Sequence, residues 1–380
     1  MYLNMLDGTT DGNNSKDFTN NNLTGVIGLT YQYVQRNNRL HAIASVNAKD
    51  VLVLRDEHFG NVKDFTKNYI IPELSLSLVY YKGTHGMSLN YSENSSVPSV
   101  EQLRNSLEDS NPLLLRSGNP DLKMPVTRNA AVTYSITIPE RGIAINARLH
   151  DTFITDNFSS RTTYFKEDTF LPEYDYTAVA GSGLVSPVNI PMSHIIGAKV
   201  KYDQYFSRLK SNLYVEVSAQ NSRSPYYLAD KLQDNSITSG NMDIISHTDI
   251  GDNASFYLRL LVTGGENHSG GMVVDRYINP DVEVIYSHRI GSIEFFIGDT
   301  VSRMFTSNSG ADFLDNSLDT RISWIFGKDK RCSLSVYGSN LTDNTRSNKF
   351  TIADNYSTRS WESYLGRSAG FSFVYKFSRR

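Results

Sequence analysis

The stretch Gly370-Phe371-Ser372-Phe373-Val374-Tyr375-Lys376-Phe377 carries the pattern on which the reading of this chain turns. Phe371, Phe373, Tyr375 and Phe377 fall on one face, and Ser372, Val374 and Lys376 on the other. Alternation with a period of two is the mark of a β-strand with one apolar and one largely polar face. A half-buried strand of a soluble sandwich shows the same pattern, so recurrence along the chain has to decide.

The pattern recurs almost throughout. Ile27, Leu29, Tyr31 and Tyr33 share a face, as do Leu74, Leu76, Leu78 and Tyr80. Val132, Tyr134, Ile136 and Ile138 alternate with Thr133, Ser135 and Thr137, and Leu213, Val215, Val217 and Ala219 with Tyr214, Glu216, Ser218 and Gln220. Reading on to the end gives about fifteen strands. Short turns near residues 37, 83, 140, 205, 251, 289 and 328 alternate with long polar connections such as 159–187. The segment 264–271, rich in glycine, reads as a flexible loop on the long-connection side. Short turns at one end and long loops at the other characterise outer-membrane barrels, and a soluble sandwich has no reason to segregate its loops in this way.

Composition agrees. Apolar residues make up 39% of 380 residues, with 23 Tyr and 18 Phe, and mean hydropathy is −0.37. Membrane barrels have such soluble-looking averages because half of each strand faces water. The net charge of −3 gives no basic excess for nucleic acid. A single cysteine, Cys332, rules out a disulfide framework within one chain. Arg148, Lys199, Lys201, Glu216, Arg259, Glu283, Arg321 and Lys376 lie opposite the apolar stripe, where a hydrated lumen tolerates them. Tyr80, Tyr202, Tyr286, Trp324 and Phe377, near strand ends, suit interfacial girdles.

The rhythm breaks over 92–124. Pro98-Ser99-Val100-Glu101 reads as a helix start, with Val100, Leu103 and Leu107 at helical spacing. Within this stretch, Asn111-Pro112 and Gly118-Asn119-Pro120-Asp121-Leu122-Lys123 resemble TonB-dependent receptors, and more closely the outer-membrane β-barrel family common in Bacteroidetes. Asn111, Pro112, Gly118, Asn119, Pro120 and Leu122 are the residues that carry this resemblance, with Pro98-Ser99 and Leu103 ahead of them. Phe371, Phe373, Tyr375 and Phe377 resemble the assembly signal of such barrels, although Ser378-Arg379-Arg380 follow it.

The expected fold is therefore all-β: a transmembrane antiparallel up-and-down β-barrel with 15–16 strands present, in a family whose complete barrels have about 22. Residues 23–380 form the barrel wall, 94–125 a long extracellular loop with a short helix, and 1–22 an extracellular loop with Met1–Leu6 as the end of a further strand. The resemblance implies nutrient import (a glycan, peptide or metal chelate) across a Gram-negative outer membrane. It also implies partners: outer-membrane lipid, the barrel-assembly machinery, and a TonB complex contacted through an N-terminal region and plug not visible here. A surface lipoprotein as a cap stays open. With no signal peptide at Met1, a truncated receptor is the leading expectation and a naturally plugless barrel the second. A truncated barrel leaves two edges unpaired in lipid, so the chain is not expected to insert stably as a monomer.

Two other classes stand beside transport: a plugless porin or surface-binding barrel, and a soluble β-rich adhesin or glycan-binding module. An enzyme ranks last. The eight His show no zinc spacing, and His150 and His194 read as lumen or loop residues. Asp312, Asp315, Asn316 and Asp319 lack the spacing of a calcium loop. No Gly-x-Ser-x-Gly elbow is present, although the dispersed residues of a membrane phospholipase or protease would escape such a search. No catalytic residue, metal ligand or cofactor is expected.

Overall fold

The computed structural model describes residues 18–57, 65–228, 230–307, 313–352, 357–363 and 365–377. Met1–Leu6, Asp312 and Ser378–Arg380 lie outside them. A sheet of 17 strands dominates; two of these, 107–108 and 114–117, belong to a connection, and the other fifteen form the wall. They are β1 (Phe18–Val34), β2 (Leu40–Glu57), β3 (Phe65–Lys82), β4 (His85–Ser95) and β5 (Val126–Ile138). Next come β6 (Ile143–Tyr164), β7 (Gly183–Phe206), β8 (Ser211–Arg223), β9 (Asn235–Ile250) and β10 (Ala254–Ser269). β11 (Met272–Ile290), β12 (Ile293–Thr306), β13 (Phe313–Phe326), β14 (Cys332–Ser339) and β15 (Ser368–Tyr375) complete it. Each pairs antiparallel with the next in chain order. This is the up-and-down wall of a barrel. Among the described residues no pairing joins β1 to β15.

Register fixes the two faces. One rung runs Tyr80, Met87, Tyr134, Ala147, Val200, Val217, Met242 and Val262 across β3 to β10. The adjacent rung, one residue along each strand, runs Val79, Ser88, Thr133, Arg148, Lys199, Ser218, Asn241 and Thr263. Because side chains alternate, every residue of the first rung points away from every residue of the second. The apolar face is the bare one: Leu29 is 82% exposed, Ile27 77% and Phe371 79%. A water-soluble protein buries such a face; here the solvent that suits it is hydrocarbon.

The connections at one end are short, at 35–39, 83–84, 139–142, 207–210, 251–253, 291–292 and 327–331. Gly83 (φ 60°) and Gly291 (φ 61°) take the left-handed conformation that such tight reversals need. At this end outward aromatics gather, with Trp324 stacked on Phe326 at 4.3 Å and Tyr375 edge-on to Phe377 at 4.6 Å. At the other end the connections run to 96–125, 165–182, 224–234 and 340–367. The last three each contain a small hairpin, 169–171 with 176–178, 226–228 with 231–233, and 346–352 with 357–363.

Several sequence boundaries shift. β1 starts at Phe18, ahead of Leu23, so 18–22 belong to the wall. β6 and β7 run to Tyr164 and from Gly183, which shortens the connection read as 159–187. The glycine-rich 264–271 is no flexible loop: β10 continues to Ser269, and Gly270 (φ 58°) and Gly271 (φ 82°) make a tight turn into β11. Polar residues on both faces hide a strand from period-two analysis once both faces meet water.

Candidate functional site: the inner wall and its folded loop

The polar face of β6 to β11 carries a belt of charge ordered by register. One rung places Lys201, Glu216 and Asp243 side by side, and a neighbouring rung places Arg259 beside Glu283. Glu216 lies 2.8 Å from Lys199 Nζ and 3.2 Å from Lys201 Nζ, and the Tyr214 hydroxyl donates to it at 2.7 Å. Arg259 donates to both oxygens of Asp243, each at 2.9 Å. That fork geometry orients a guanidinium as well as neutralising it. Direct pairing fixes these side chains in place on the inner face, the one turned away from hydrocarbon.

Above the apolar belt the outward face becomes polar. His194 Nε2 sits 2.5 Å from Asp151 Oδ1, and Arg128 Nε donates to Glu93 Oε2 at 2.8 Å. His194 therefore faces outward rather than into a lumen or loop, while His150, opposite Gly197, faces inward. From Tyr202 up to His194 β7 rises about 19 Å at the usual strand spacing and a 45° tilt, close to the ~25 Å apolar band of outer-membrane barrels.

The long connection 96–125 folds back onto the inner face. Its helix, α1 (Val100–Leu103), is capped at both donors by a capping box: Gln102 N–H donates to Ser99 Oγ and Ser99 N–H to Gln102 Oε1. Val100 packs with Val51, Val53 and Ile71, joined by Tyr69, Val97 and Met124. Leu107 lies in a two-residue strand beyond the helix, which ends at Leu103. The far end of the connection reaches β7: residues 114–116 pair parallel with 183–185. The connection thus spans from β2 and β3 to β7.

The residues of the Gly-Asn-Pro segment hold that span together. A Cβ on Gly118 would stand 2.3 Å from the Arg104 carbonyl oxygen and 2.8 Å from the Glu101 carbonyl oxygen. Only glycine lets the strand lie so close to the helix end. Asn119 donates from its backbone N–H to the Gln102 carbonyl at 2.6 Å and from Nδ2 to the Pro187 carbonyl at 3.0 Å. Its Oδ1 accepts from the Asp121 N–H at 2.9 Å, closing an Asx turn. The Pro120 carbonyl accepts from Lys67 Nζ, Leu122 is buried, and Asn111 Oδ1 accepts from the Leu113 N–H ahead of Leu114. Pro112 stands inside that Asn111 turn. At the other terminus Phe371, Phe373 and Tyr375 pair across to Val336, Leu334 and Cys332, and all four aromatics through Phe377 are exposed.

Between the connection and the wall lies a cleft of about 620 Å³, lined among others by Gln102, Arg104, Glu108, Arg116, Phe158 and Ser160. An aromatic face beside carboxylate, guanidinium and amide groups can bind a polar solute through stacking and directed hydrogen bonds. Sequence analysis missed this cleft. The run Val51-Leu52-Val53-Leu54, apolar on both faces, signals only that something covers the inner wall there, since Val51 and Val53 pack on Val100 and do not line the cleft. Among the described residues no group of three or more His, Cys, Asp or Glu could hold a metal ion, and no helix is long and apolar enough to cross a membrane.

No protein-family model matches the chain, so the Bacteroidetes-type likeness of the Gly118-Asn119-Pro120 segment remains a resemblance. No curated protein matches either. Among solved structures the chain is similar to the ferric yersiniabactin uptake receptor FyuA from Yersinia pestis, at 8% identity and a TM-score of 0.32, over 96% of this chain and 74% of that one. It is also similar to the FpvAI–pyocin S2 complex, at 8% identity and a TM-score of 0.33, over 93% of this chain and 59% of that one. A third likeness is to the TodX monoaromatic hydrocarbon channel, at 9% identity and a TM-score of 0.27, over 95% and 90% of the two chains. These likenesses are distant, and the barrel wall stands on this chain's own strand pairing.

Proposed function

We propose that this chain forms the wall of an outer-membrane barrel of the TonB-dependent-receptor kind, which captures a polar nutrient at its external mouth and passes it inward. One observation carries the reading: a fifteen-strand meander whose bare face is apolar while its other face holds paired charges. Strand-to-strand pairing satisfies the backbone along this wall as lipid demands, and the edges of β1 and β15 are where the reading requires further pairing in the membrane. The cleft beneath 96–125 serves as the capture site, because it lies above the apolar belt and combines Phe158 with Arg104, Arg116 and Glu108. Energised release through TonB, and the nutrient's identity within the glycan, peptide or metal-chelate classes, belong to this proposal.

Fractionation tests it first. The protein is expected in the detergent-extracted outer membrane, migrating faster on gels before heating than after. Recovery in the soluble fraction would overturn the reading. A passive barrel is the second reading, favoured by the way 96–125 narrows the inner side from within the wall's own connections. Steady conductance in planar bilayers, independent of TonB, would select it.

A further inference from the structure

Arg148 on β6 and Lys199 on β7 stand directly opposite each other on the inner face. Like charges at that separation repel, and destabilise a sheet unless something answers them. Lys201 lies two residues on, so three cations share one patch. Glu216 is the carboxylate that pairs with it, both its oxygens taken by the two lysines and Tyr214; Asp203, two residues beyond Lys201 on the same face, forms no ion pair with Arg148, Lys199 or Lys201 among the described residues. Arg148 makes no ion pair among the described residues. On β10, two strands beyond Glu216, Arg259 has its own carboxylate, Asp243, in a two-point pair. The missing counter-charge is therefore local to Arg148.

The surroundings are those of a site. Arg148 and His150 are the two side chains shared by a cleft of about 570 Å³ and an adjoining one of about 410 Å³. The first adds Asn146, Ser218 and Gln220, all able to donate to an anion. Gly197 leaves room for the His150 ring, since a Cβ there would stand 2.4 Å from its Cε1. Ser218 keeps its own hydroxyl bonded to Asn241, leaving Gln220 and Asn146 as the neutral donors nearest the cations.

We propose that Arg148, Lys199 and Lys201 form a binding site for a small dianion of the phosphate or dicarboxylate class on the inner wall. The site rests on reading this face as the lumen. A dianion would supply the two charges that Glu216 leaves unanswered, and Arg148 would take its oxygens in a two-point contact.

The full chain, folded in detergent micelles, is titrated calorimetrically with inorganic phosphate, succinate and glucose in separate runs. Saturable binding of phosphate or succinate, with glucose silent, is expected, and whichever binds more tightly names the anion's class. Arg148→Gln should weaken binding by about tenfold or more, the scale of a lost charge-assisted contact, while Arg148→Lys retains most of it. Arg141→Gln, at the 139–142 turn, should bind as the parent does. If Arg148→Gln fails to fold, Lys199→Gln carries the same expectation. Absence of saturable binding of either anion by protein that shows the heat-dependent gel shift would overturn the proposal and leave the barrel standing. Equal binding by the Gln variants would overturn it too. A missing gel shift would instead strike the barrel reading.

Discussion

Two consecutive residues on β10 offer the sharpest trial of which face meets lipid. Val262 belongs to the apolar rung with Val200, Val217 and Met242, in the upper half of the outward run Phe256, Leu258, Leu260 and Val262, and Thr263 to the polar rung with Ser218 and Asn241. An arginine on the lipid face of a barrel costs about 2–4 kcal/mol at mid-depth and less towards the interfaces, so about 2 kcal/mol at Val262. That is a shift of roughly 30-fold in the folding equilibrium. An arginine one residue on enters water, close to Asn241 and Asn279 across the neighbouring strands, and should cost no more than about 0.5 kcal/mol. Urea titration of the protein folded into phospholipid vesicles, followed by the fluorescence of Trp324 and Trp361, measures both. Val262→Arg should lower the midpoint strongly and Thr263→Arg hardly at all. If Val262→Arg proves neutral, or if the two exchange places, the apolar face does not meet hydrocarbon and the inside and outside assigned here are wrong.

Further outcomes follow from the same contacts. Gly118→Ala forces a methyl against the Arg104 and Glu101 carbonyls and should cost about 1–3 kcal/mol by overpacking; limited proteolysis would then cut within 96–125 faster than in the parent. Asp243→Asn removes the carboxylate that Arg259 grips. Arg259 is 37% exposed, so the loss should be about 1–2 kcal/mol rather than that of a dry pair, and an unchanged urea midpoint would refute it. Phe371→Ser with Phe373→Ser should lower the amount of heat-modifiable protein in the outer membrane without lowering synthesis. Equal amounts of the folded form would show that the terminal aromatics are dispensable for assembly.

Most of the wall was legible because hydrocarbon imposes a strict apolar period on the outward face. Where that pressure weakens, so does the signal. β9 shows only through the turn near 251 that ends it: its outward positions Ser236, Thr238, Gly240, Met242, Ile244 and Ser246 are apolar at only two in succession. That weak signal also hid Asp243, the partner of Arg259, although Arg259 itself stands out in the sequence. The strand extensions on the long-connection side were underestimated for a related reason. Residues such as Ser159, Ser160 and Arg161 on β6, facing Val188, Pro187 and Ser186 on β7, carry no alternation because neither face meets lipid. The Gly118-Asn119-Pro120 segment was recognised by its spelling, but its job is conformational. Glycine permits the close approach and asparagine supplies the bonds, and neither role shows in a one-dimensional pattern.

β6 and β7 have a consequence beyond transport. At 22 and 24 residues they rise to about twice the height that the apolar band requires, and they stay paired up to Tyr164 and Gly183. What stands above the apolar band there is a stiff post rather than a tassel. Large particles approaching this relief would meet a fixed shape, and the amide protons of its upper third that bond across the β6–β7 pair should exchange more slowly than those on its two open edges.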